Sequence, residues 1–296
     1  MTQGEYIRRS QMVTPASSVK LVRKALEVNC DSLIIDLEDA VAPSHKAQAR
    51  EVIREALADS APRSKEVGVR VNGLDTAWLL DDIFALQGVC IDSVVFPKIH
   101  SVADVHAADA LLRQLDLRQA RAGLTLQILI ESARGLERVR EIATASARCR
   151  TLIFGAGDYM ADTGVAFDSR SLWYARARVA AAAAAAGLQA LDHVHPDIKA
   201  LDALRIEARE ARDLGFSGKW AIHPAQVSVI NEAFNPSAAE IERARRVIEA
   251  YQAAKDAGTG AIMLDGAMVD EAVLKIAQRH RVAAQKAGLW NDGGSP

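Results

Sequence analysis

The chain has 296 residues, which fits one large domain or two ordinary ones, because a domain commonly contains about 100–200 residues. Half of the residues are hydrophobic and a quarter are charged, which is the balance of a globular protein with a sizeable core. The net charge is −2, from 36 basic and 38 acidic residues, so the sequence lacks the basic surplus that nucleic-acid binding requires.

The sequence also argues against a membrane or secreted protein. No apolar run reaches the roughly 20 residues that a membrane-spanning helix needs. The first ten residues carry charges and lack the apolar segment of a secretion signal. Cys30, Cys90 and Cys149 are too widely spaced for a CxxC pair and do not indicate a disulfide framework. These features predict a cytoplasmic protein.

A short apolar run followed by a charged, amphipathic stretch recurs at intervals of about 30 residues, the size of one βα unit. Eight such runs predict strands alternating with helices, and therefore a parallel sheet. A (β/α)8 barrel and a doubly wound open sheet both satisfy this pattern, and the even spacing favours the barrel. The predicted strand regions are Ser10–Ala16, Ser32–Asp39, Val67–Asn72, Ser93–Ile99, Leu124–Glu131, Thr151–Asp158, Gln189–His195 and Gly218–Pro224.

Polar residues fall at the carboxyl ends of the predicted strands, whereas the strand beginnings are apolar or small. In a barrel the carboxyl ends of all strands meet at one mouth, where catalytic groups lie. This distribution is therefore the strongest physical indication of an active site in the sequence. The residues at these ends are Asp36, Glu38 and Asp39, then Arg70 and Asn72, Lys98, Glu131, Asp158, His193 and His195, and His223.

Two acids, Glu131 and Asp158, end neighbouring predicted strands. A small number of carboxylate oxygens suits Mg²⁺, which keeps several waters and accepts substrate oxygens. The alternative is a pair neutralised by nearby Arg or Lys. The preceding segment 155–157, Gly-Ala-Gly, favours the metal because its backbone N–H groups are able to hold a carboxylate beside the ion. It is not a dinucleotide fingerprint, since Met160 replaces the third glycine.

Three further features of the sequence each have more than one interpretation. Arg70 is a fixed cation suited to stabilising an oxyanion or enolate, and an ion pair with the acids after strand two would orient it. Lys20 and Lys24 share one helix face, which indicates either a phosphate clamp or a solvated surface. His193 and His195 lack a convincing third metal donor, so structural roles are favoured.

Several sequence blocks, taken in order along nearly the whole chain, resemble the HpcH/HpaI aldolase and citrate lyase β-subunit-like family. The most specific are the DLEDAVAP block at 36–43 and the IHPxQ block at 222–226. The resemblance implies a (β/α)8 TIM barrel over residues 1–235. It also implies a C-terminal helical extension over residues 236–296, which completes a neighbouring subunit's site in a homotrimer or hexamer.

The resemblance further implies an enzyme that uses Mg²⁺ and acts on coenzyme A or acyl-carrier thioesters. Asp270 would be the catalytic base, although an Asp before Glu271 is also a good N-cap for a helix. By position, the metal ligands would be Glu131 and Asp158, the substrate contacts Arg70, Glu131, Ala156, Gly157 and Asp158, and the coenzyme A contacts Lys20, Lys24, Trp220 and Ala221.

We therefore expect a carbon–carbon lyase that cleaves, or forms, a 3-hydroxyacyl-CoA such as malyl-CoA or citramalyl-CoA, with acetyl-CoA and a 2-oxo acid as the other side of the reaction. Hydrolysis of the thioester needs only a positioned water at the same site. The alternatives are a citrate lyase β-subunit-like component acting on an acyl-carrier thioester, a CoA-independent 2-oxo acid aldolase, and a non-catalytic relative. The intact set of Arg70, Glu131 and Asp158 argues against the last of these.

Overall fold

The computed structural model describes residues 6–58, 64–119, 123–256, 258 and 260–290. Within these ranges eight parallel strands pair in chain order and close with the first against the last, which confirms the predicted (β/α)8 barrel over the open sheet. The barrel strands are β1 (Ser10–Pro15), β2 (Ser32–Asp36), β3 (Glu66–Arg70), β4 (Ser93–Phe96), β5 (Thr125–Ile130), β6 (Cys149–Phe154), β7 (Gln189–Asp192) and β8 (Gly218–Ala221).

Helices connect the strands and surround them. Polar side chains cap several helix starts: Ser18 accepts the Leu21 N–H, and Ser132 accepts the Gly135 N–H. The helices of the described barrel region are α1 (Val19–Glu27), α2 (Lys46–Ala56), α3 (Leu79–Ala85), α4 (Val102–Gln119), α5 (Ala133–Glu137), α6 (Val139–Thr144), α7 (Ala156–Thr163), α8 (Ser169–Ala185), α9 (Leu201–Asp213) and α10 (Pro224–Phe234).

The barrel interior contains an apolar layer contributed by alternate residues of the strands. Side chains from six strands pack against one another, and this arrangement is available only inside a closed barrel. Their neighbours in sequence, such as Leu33 and Ile35, are also fully buried and point to the opposite side, towards the helices. The interior layer consists of Ile34, Val95, Leu129, Ile153, Leu191 and Trp220, with Val13 and Val194 packed against it.

A hydrogen-bonded polar cluster fills the barrel nearer the strand beginnings. Arg8 makes two hydrogen bonds to the Glu66 carboxylate, at 2.6 and 2.7 Å, and both side chains are buried. Ser32 and Gln127 donate to the same carboxylate, and Gln127 also accepts from Gln11 at 3.0 Å. These partners satisfy the buried polar groups, whose desolvation would otherwise cost stability.

The chain divides into two compact units, Met1–Asn231 and Glu232–Pro296. The division falls in the last turn of α10, whereas the sequence analysis placed it after residue 235. The second unit contains the predicted C-terminal helices, with α11 (Ala238–Asp256), a hairpin of β9 (Ile262–Leu264) and β10 (Ala267–Val269), and α12 (Glu271–Lys286). None of the helices in the described ranges has the length and apolar character needed to cross a membrane.

Closure of the barrel predicts a strong penalty for a side chain at Gly218. A Cβ atom there would lie 1.8 Å from the Arg8 carbonyl oxygen and 2.4 Å from that of Arg9, so the backbone would have to shift. We expect Gly218→Ala to lower the free energy of unfolding by about 3 kcal/mol. Gly157→Ala is the matched control, because a Cβ atom at Gly157 meets nothing within 4 Å. Urea unfolding measures both, and equal stabilities would contradict this close packing of β8 against the segment that enters β1.

Candidate active site

Arg70 lies at the carboxyl end of β3, directly opposite Asp36 of β2 in the strand register. Its guanidinium donates two hydrogen bonds to the Asp36 carboxylate, at 2.7 and 2.6 Å, in a bidentate pair. Burial opposes the charged form of Arg70, but the adjacent Asp36 and Glu38 carboxylates outweigh that effect and raise the pKa of Arg70. The residue is therefore a permanent, oriented cation at the barrel mouth, with the ion pair that the sequence analysis anticipated.

Glu38 bridges two cations just beyond the end of β2. One carboxylate oxygen lies 2.8 Å from the Arg70 guanidinium, and the other lies 2.9 Å from the Lys98 ammonium. Burial raises the pKa of Glu38, while Arg70 and Lys98 oppose that rise. Burial disfavours the Lys98 ammonium, but its hydrogen bond to Glu38 and the charges of Asp39 and Asp158 raise the Lys98 pKa. Ion pairs thus connect Arg70, Glu38 and Lys98 in this part of the mouth.

Glu131 follows β5 and is buried in the same mouth, with 4% of its surface exposed. One of its oxygens accepts the backbone N–H of Lys98 at 2.7 Å. The other is closely approached by Gly155, where a Cβ atom would lie 2.6 Å away, so a larger residue at position 155 would displace the carboxylate. Burial, with help from the charges of Glu38 and Asp158, raises the pKa of Glu131 to about 8. This carboxylate is poised to accept a positive partner.

Asp158 lies in the first turn of α7, and the prediction that it ends strand six is wrong. Strand β6 stops at Phe154, because Gly155 begins the helix as its N-cap residue. Among the described residues no side chain caps this helix start, so the backbone N–H groups of Ala156 and Gly157 are available to an anion. Among the described residues, none donates a hydrogen bond to the Asp158 carboxylate, whose charge acts on Glu131.

Three buried polar residues support the segment that carries the acids of the mouth, and of these the sequence analysis identified only Asn72. Lys46 donates to the carbonyl oxygens of Leu37 and Glu38, both at 2.7 Å, and so fixes the backbone that follows β2. Asn72 donates to the Leu37 carbonyl and to Asp82, at 3.1 and 2.6 Å. Paired acids in the predominantly apolar α3 were a possible signal for Asp82, whereas nothing in the local sequence distinguishes Lys46 from a solvated lysine.

A second buried charge cluster lies after β7. Asp192, His193 and Glu207 place three potential metal-ligand atoms within 4.8 Å of one another. The Lys219 ammonium, however, lies 2.8 Å from both carboxylates, and Arg176 makes two hydrogen bonds to Asp192. The chain's own cations therefore neutralise these acids. His195 bonds to Glu207 and His193 lies 3.1 Å from it, which fits the structural role that the sequence analysis favoured and leaves that role a prediction.

The remaining predicted site residues lie in different environments. Lys20 and Lys24 are exposed on α1, whereas Trp220 and Ala221 are buried in β8, where the Trp220 ring lies 5.6 Å from the Arg70 guanidinium. Asp270 belongs to the second unit, where it caps α12 by accepting the Val273 N–H at 3.0 Å. The helix-cap role is thus observed, and the coenzyme A and catalytic roles stay predictions.

The mouth brings Arg70, Glu131 and Asp158 together and leaves negative charge in excess. Arg70 and Lys98 contact Asp36 and Glu38, and the buried Lys46 ammonium acts on the same two carboxylates. No cation of the described residues contacts Glu131 or Asp158, whose charges therefore act on each other. Two acids without a contacting cation fit a hard divalent ion, whose binding would relieve their repulsion.

The raised pKa of Glu131 predicts a pH-dependent stability in the presence of a chelator. The Glu131 carboxyl binds a proton more tightly in the folded state than in the unfolded chain, where its pKa is near 4.5. The resulting stabilisation is complete below about pH 4.5 and is lost as the pH rises through about 8. Wild type should therefore lose more unfolding free energy than Glu131→Gln over this range. Parallel urea-unfolding curves across the pH series would show that Glu131 titrates normally.

Comparison with known proteins agrees with this architecture. The sequence profile of the HpcH/HpaI aldolase/citrate lyase family matches residues 9–224. The L-malyl-CoA/β-methylmalyl-CoA lyase of Cereibacter sphaeroides is 36% identical, covering 91% of this chain and 92% of the relative. The (3S)-malyl-CoA thioesterase of the same species is 37% identical, covering 88% and 89%.

A solved structure of protein CitE from Mycobacterium tuberculosis, in complex with magnesium, acetoacetate and coenzyme A, is similar over most of the fold. It has a TM-score of 0.79 and 31% identity, and the match covers 95% of this chain and all of that one. These matches confirm the predicted family and, with it, the prediction of an enzyme of the lyase class. The chain is a member of the HpcH/HpaI aldolase/citrate lyase family.

Proposed function

We propose that this protein is a Mg²⁺-dependent carbon–carbon lyase that cleaves, or forms, a 3-hydroxyacyl-CoA such as malyl-CoA or citramalyl-CoA. The products of cleavage are acetyl-CoA and a 2-oxo acid. The observation that carries the proposal is the pair of unneutralised acids, Glu131 and Asp158, beside the oriented Arg70 at a barrel mouth. A lyase of this name at 36% identity, and a structural relative that holds magnesium and coenzyme A, support it.

Glu131 and Asp158 would hold the metal. Their carboxylate oxygens are hard ligands, and two of them leave coordination positions for water and substrate oxygens. When bound, Mg²⁺ supplies a Lewis acid that polarises an oxygen of the 2-oxo acid. Gly155 allows the Glu131 carboxylate to approach the start of α7, and the Lys98 N–H fixes its orientation. The chain thereby positions the Glu131 carboxylate, and the first turn of α7 carries Asp158 beside it.

Arg70 and the start of α7 would bind the 2-oxo acid. A guanidinium has five N–H donors, of which two donate to Asp36, while Glu38 lies 2.8 Å away in an ion pair, so at least two remain for substrate oxygens. The N–H groups of Ala156 and Gly157, which no side chain caps, provide a second anion-binding position. Negative charge that develops on the substrate as the carbon–carbon bond breaks is stabilised by donors already in place.

The coenzyme A portion would extend from the mouth towards α1. A cavity of about 330 Å³ is lined by the turn before α1, including Ala16 and Ser17, and by the loop after β2. Lys20 and Lys24 are exposed on the helix that follows this turn, which suits cations that bind phosphates. Trp220 and Ala221, in the adjacent β8, would contribute backbone contacts. This assignment follows the family resemblance and the position of the cavity.

Asp270 would transfer the proton at the acetyl α-carbon, from one subunit to a substrate bound at a neighbour's mouth. The proposal therefore includes a homotrimer or hexamer. Its support is the resemblance of the Asp265–Asp270 block to the family, together with the location of Asp270 at a helix start in the second unit. Within the described residues, Cys30, Cys90 and Cys149 form no disulfide, which fits a reducing compartment and a cytoplasmic location.

A thioesterase is the second candidate function, favoured by the 37% identical (3S)-malyl-CoA thioesterase. The two activities differ in the bond that breaks. A lyase converts malyl-CoA to acetyl-CoA and glyoxylate, whereas a thioesterase adds water and yields malate and free coenzyme A. A citrate lyase component would require an acyl-carrier partner, and a CoA-independent aldolase would not bind coenzyme A. Mass spectrometry of the products from purified protein, Mg²⁺ and single CoA thioesters distinguishes the first two. A parallel assay with an acyl-carrier thioester and with a free 2-oxo acid aldol separates the other two, neither of which acts on a CoA thioester alone.

We expect Glu131→Gln and Asp158→Asn each to lower the Mg²⁺-dependent turnover of the active thioester by about a thousandfold or more. A bound metal ion that acts as a Lewis acid lowers the activation free energy by several kcal/mol, which corresponds to a rate effect of this size. Both variants should remain folded by circular dichroism. Glu137→Gln is the matched control, because Glu137 is an exposed acid on α5 whose partner is Arg178. Full activity and unchanged Mg²⁺ affinity in both site variants would refute the metal assignment.

We expect Asp270→Asn to lower kcat by about 10²–10⁴, the usual effect of a lost general base. Asn remains a good N-cap residue, so α12 should keep its stability. If the site is shared, mixed oligomers of Asp270→Asn and Glu131→Gln subunits should recover part of the activity, because one mouth then has both residues. The absence of recovery in verified mixed oligomers would exclude the shared site, and a fully active Asp270→Asn would leave only the helix cap.

A further inference from the structure

Lys98, in the loop after β4, has an unusual backbone conformation. Its φ angle is 53°, and only one other non-glycine residue of the described chain, Asp265, has a positive φ. The left-handed region costs a residue with a side chain about 1 kcal/mol. Such a conformation persists only where surrounding contacts impose it, and it is enriched at functional sites. The contacts of the Lys98 backbone and side chain should therefore account for this conformation.

Contacts with the start of α5 hold the loop in this conformation. The Ile99 carbonyl packs against Gly135, where a Cβ atom would lie 2.6 Å from that oxygen. The next residue, His100, bonds through its ring to the Ser132 hydroxyl at 2.7 Å. With the loop fixed in this way, the Lys98 N–H points at the Glu131 carboxylate.

The Lys98 side chain reaches the segment that follows β2, two strands away around the barrel. Its ammonium lies 2.9 Å from one oxygen of Glu38, whose second oxygen lies 2.8 Å from Arg70. Asp39, which is largely exposed, lies further away at 3.7 Å. Glu38 therefore divides its charge between two cations, one of which is the proposed substrate ligand. About a third of the Lys98 side chain remains exposed, so it is accessible from the mouth.

The charges around Arg70 indicate what this contact does. Asp36 and Glu38 carry two negative charges that face Arg70, and the buried Lys46 ammonium acts on both carboxylates as well. Lys46 donates to the backbone carbonyls of Leu37 and Glu38, so Lys98 is the lysine in direct contact with the Glu38 carboxylate. Without the Lys98 ammonium, Glu38 would keep Arg70 as its contacting cation, and its charge would weaken the attraction of Arg70 for a substrate carboxylate.

We propose that Lys98 is a positioning and specificity-determining residue for anionic 2-oxo acids. Its N–H orients Glu131, and its ammonium neutralises Glu38 so that Arg70 is able to bind the substrate carboxylate. This inference rests on the proposed function and extends it to a residue that does not itself bind the metal. It separates two binding events: loss of the ammonium weakens 2-oxo acid binding, whereas it leaves metal binding intact, because the backbone N–H to Glu131 is retained.

The test compares Lys98→Met, which removes the charge and keeps the backbone, with Lys98→Arg, which keeps both. Titration calorimetry measures Mg²⁺ binding first, and then pyruvate and glyoxylate binding to the Mg²⁺-saturated protein. We expect Lys98→Met to weaken the binding of the preferred 2-oxo acid by about tenfold and to change Mg²⁺ affinity by less than about threefold. Lys98→Arg should bind that acid within about threefold of wild type.

A second variant series tests the route through Glu38. In a Glu38→Gln background the carboxylate that joins Lys98 to Arg70 is gone, so Lys98→Met should have little further effect on 2-oxo acid affinity. Unchanged 2-oxo acid binding in Lys98→Met, an equal loss of Mg²⁺ and 2-oxo acid affinity, or full additivity with Glu38→Gln would overturn the inference. Wild type that binds neither acid and cleaves no thioester would instead refute the proposed function.

Discussion

The pairing of Arg70 with Asp36 is the interaction on which the mouth of this barrel depends. The two residues are register partners on adjacent strands, so the barrel itself sets the bidentate geometry. A buried ion pair adds little to the free energy of unfolding, because desolvation offsets much of the attraction. Removal of one partner is nevertheless destabilising, because it leaves a buried charge without a counter-ion. What the pair secures is a guanidinium of fixed position. Glu38, Lys98 and Glu131 are then joined to it by successive contacts.

The two buried charge clusters show why one is a candidate site and the other is structural. After β7, Asp192 and Glu207 are each in contact with the Lys219 ammonium, and Arg176 adds a second cation. At the mouth, the available cations are committed to Asp36 and Glu38, so Glu131 and Asp158 retain mutual repulsion. A metal would have to displace the chain's own cations from the first cluster, whereas at the mouth it would supply missing charge.

The sequence was sufficient for the barrel and for most residues of the mouth, because period-two strands and polar strand ends are local patterns. It misplaced Asp158, since the segment before it continues an apolar run and only the conformation of Gly155 shows that a helix has begun. The buried state of Lys46 and Lys219 was not predictable, because their partners are brought close only by the closed barrel. The left-handed Lys98 likewise depends on packing against a helix distant in sequence.

The central claim is that the surplus of negative charge at the mouth is the binding site of a divalent cation. Mn²⁺ is a suitable probe, because it accepts the same oxygen ligands as Mg²⁺ and scatters X-rays anomalously. The most direct measurement is therefore an anomalous difference map from crystals grown with Mn²⁺. The account predicts a peak coordinated by the carboxylates of Glu131 and Asp158. A map with no peak there, or with its peak at Asp192, His193 and Glu207, would contradict it.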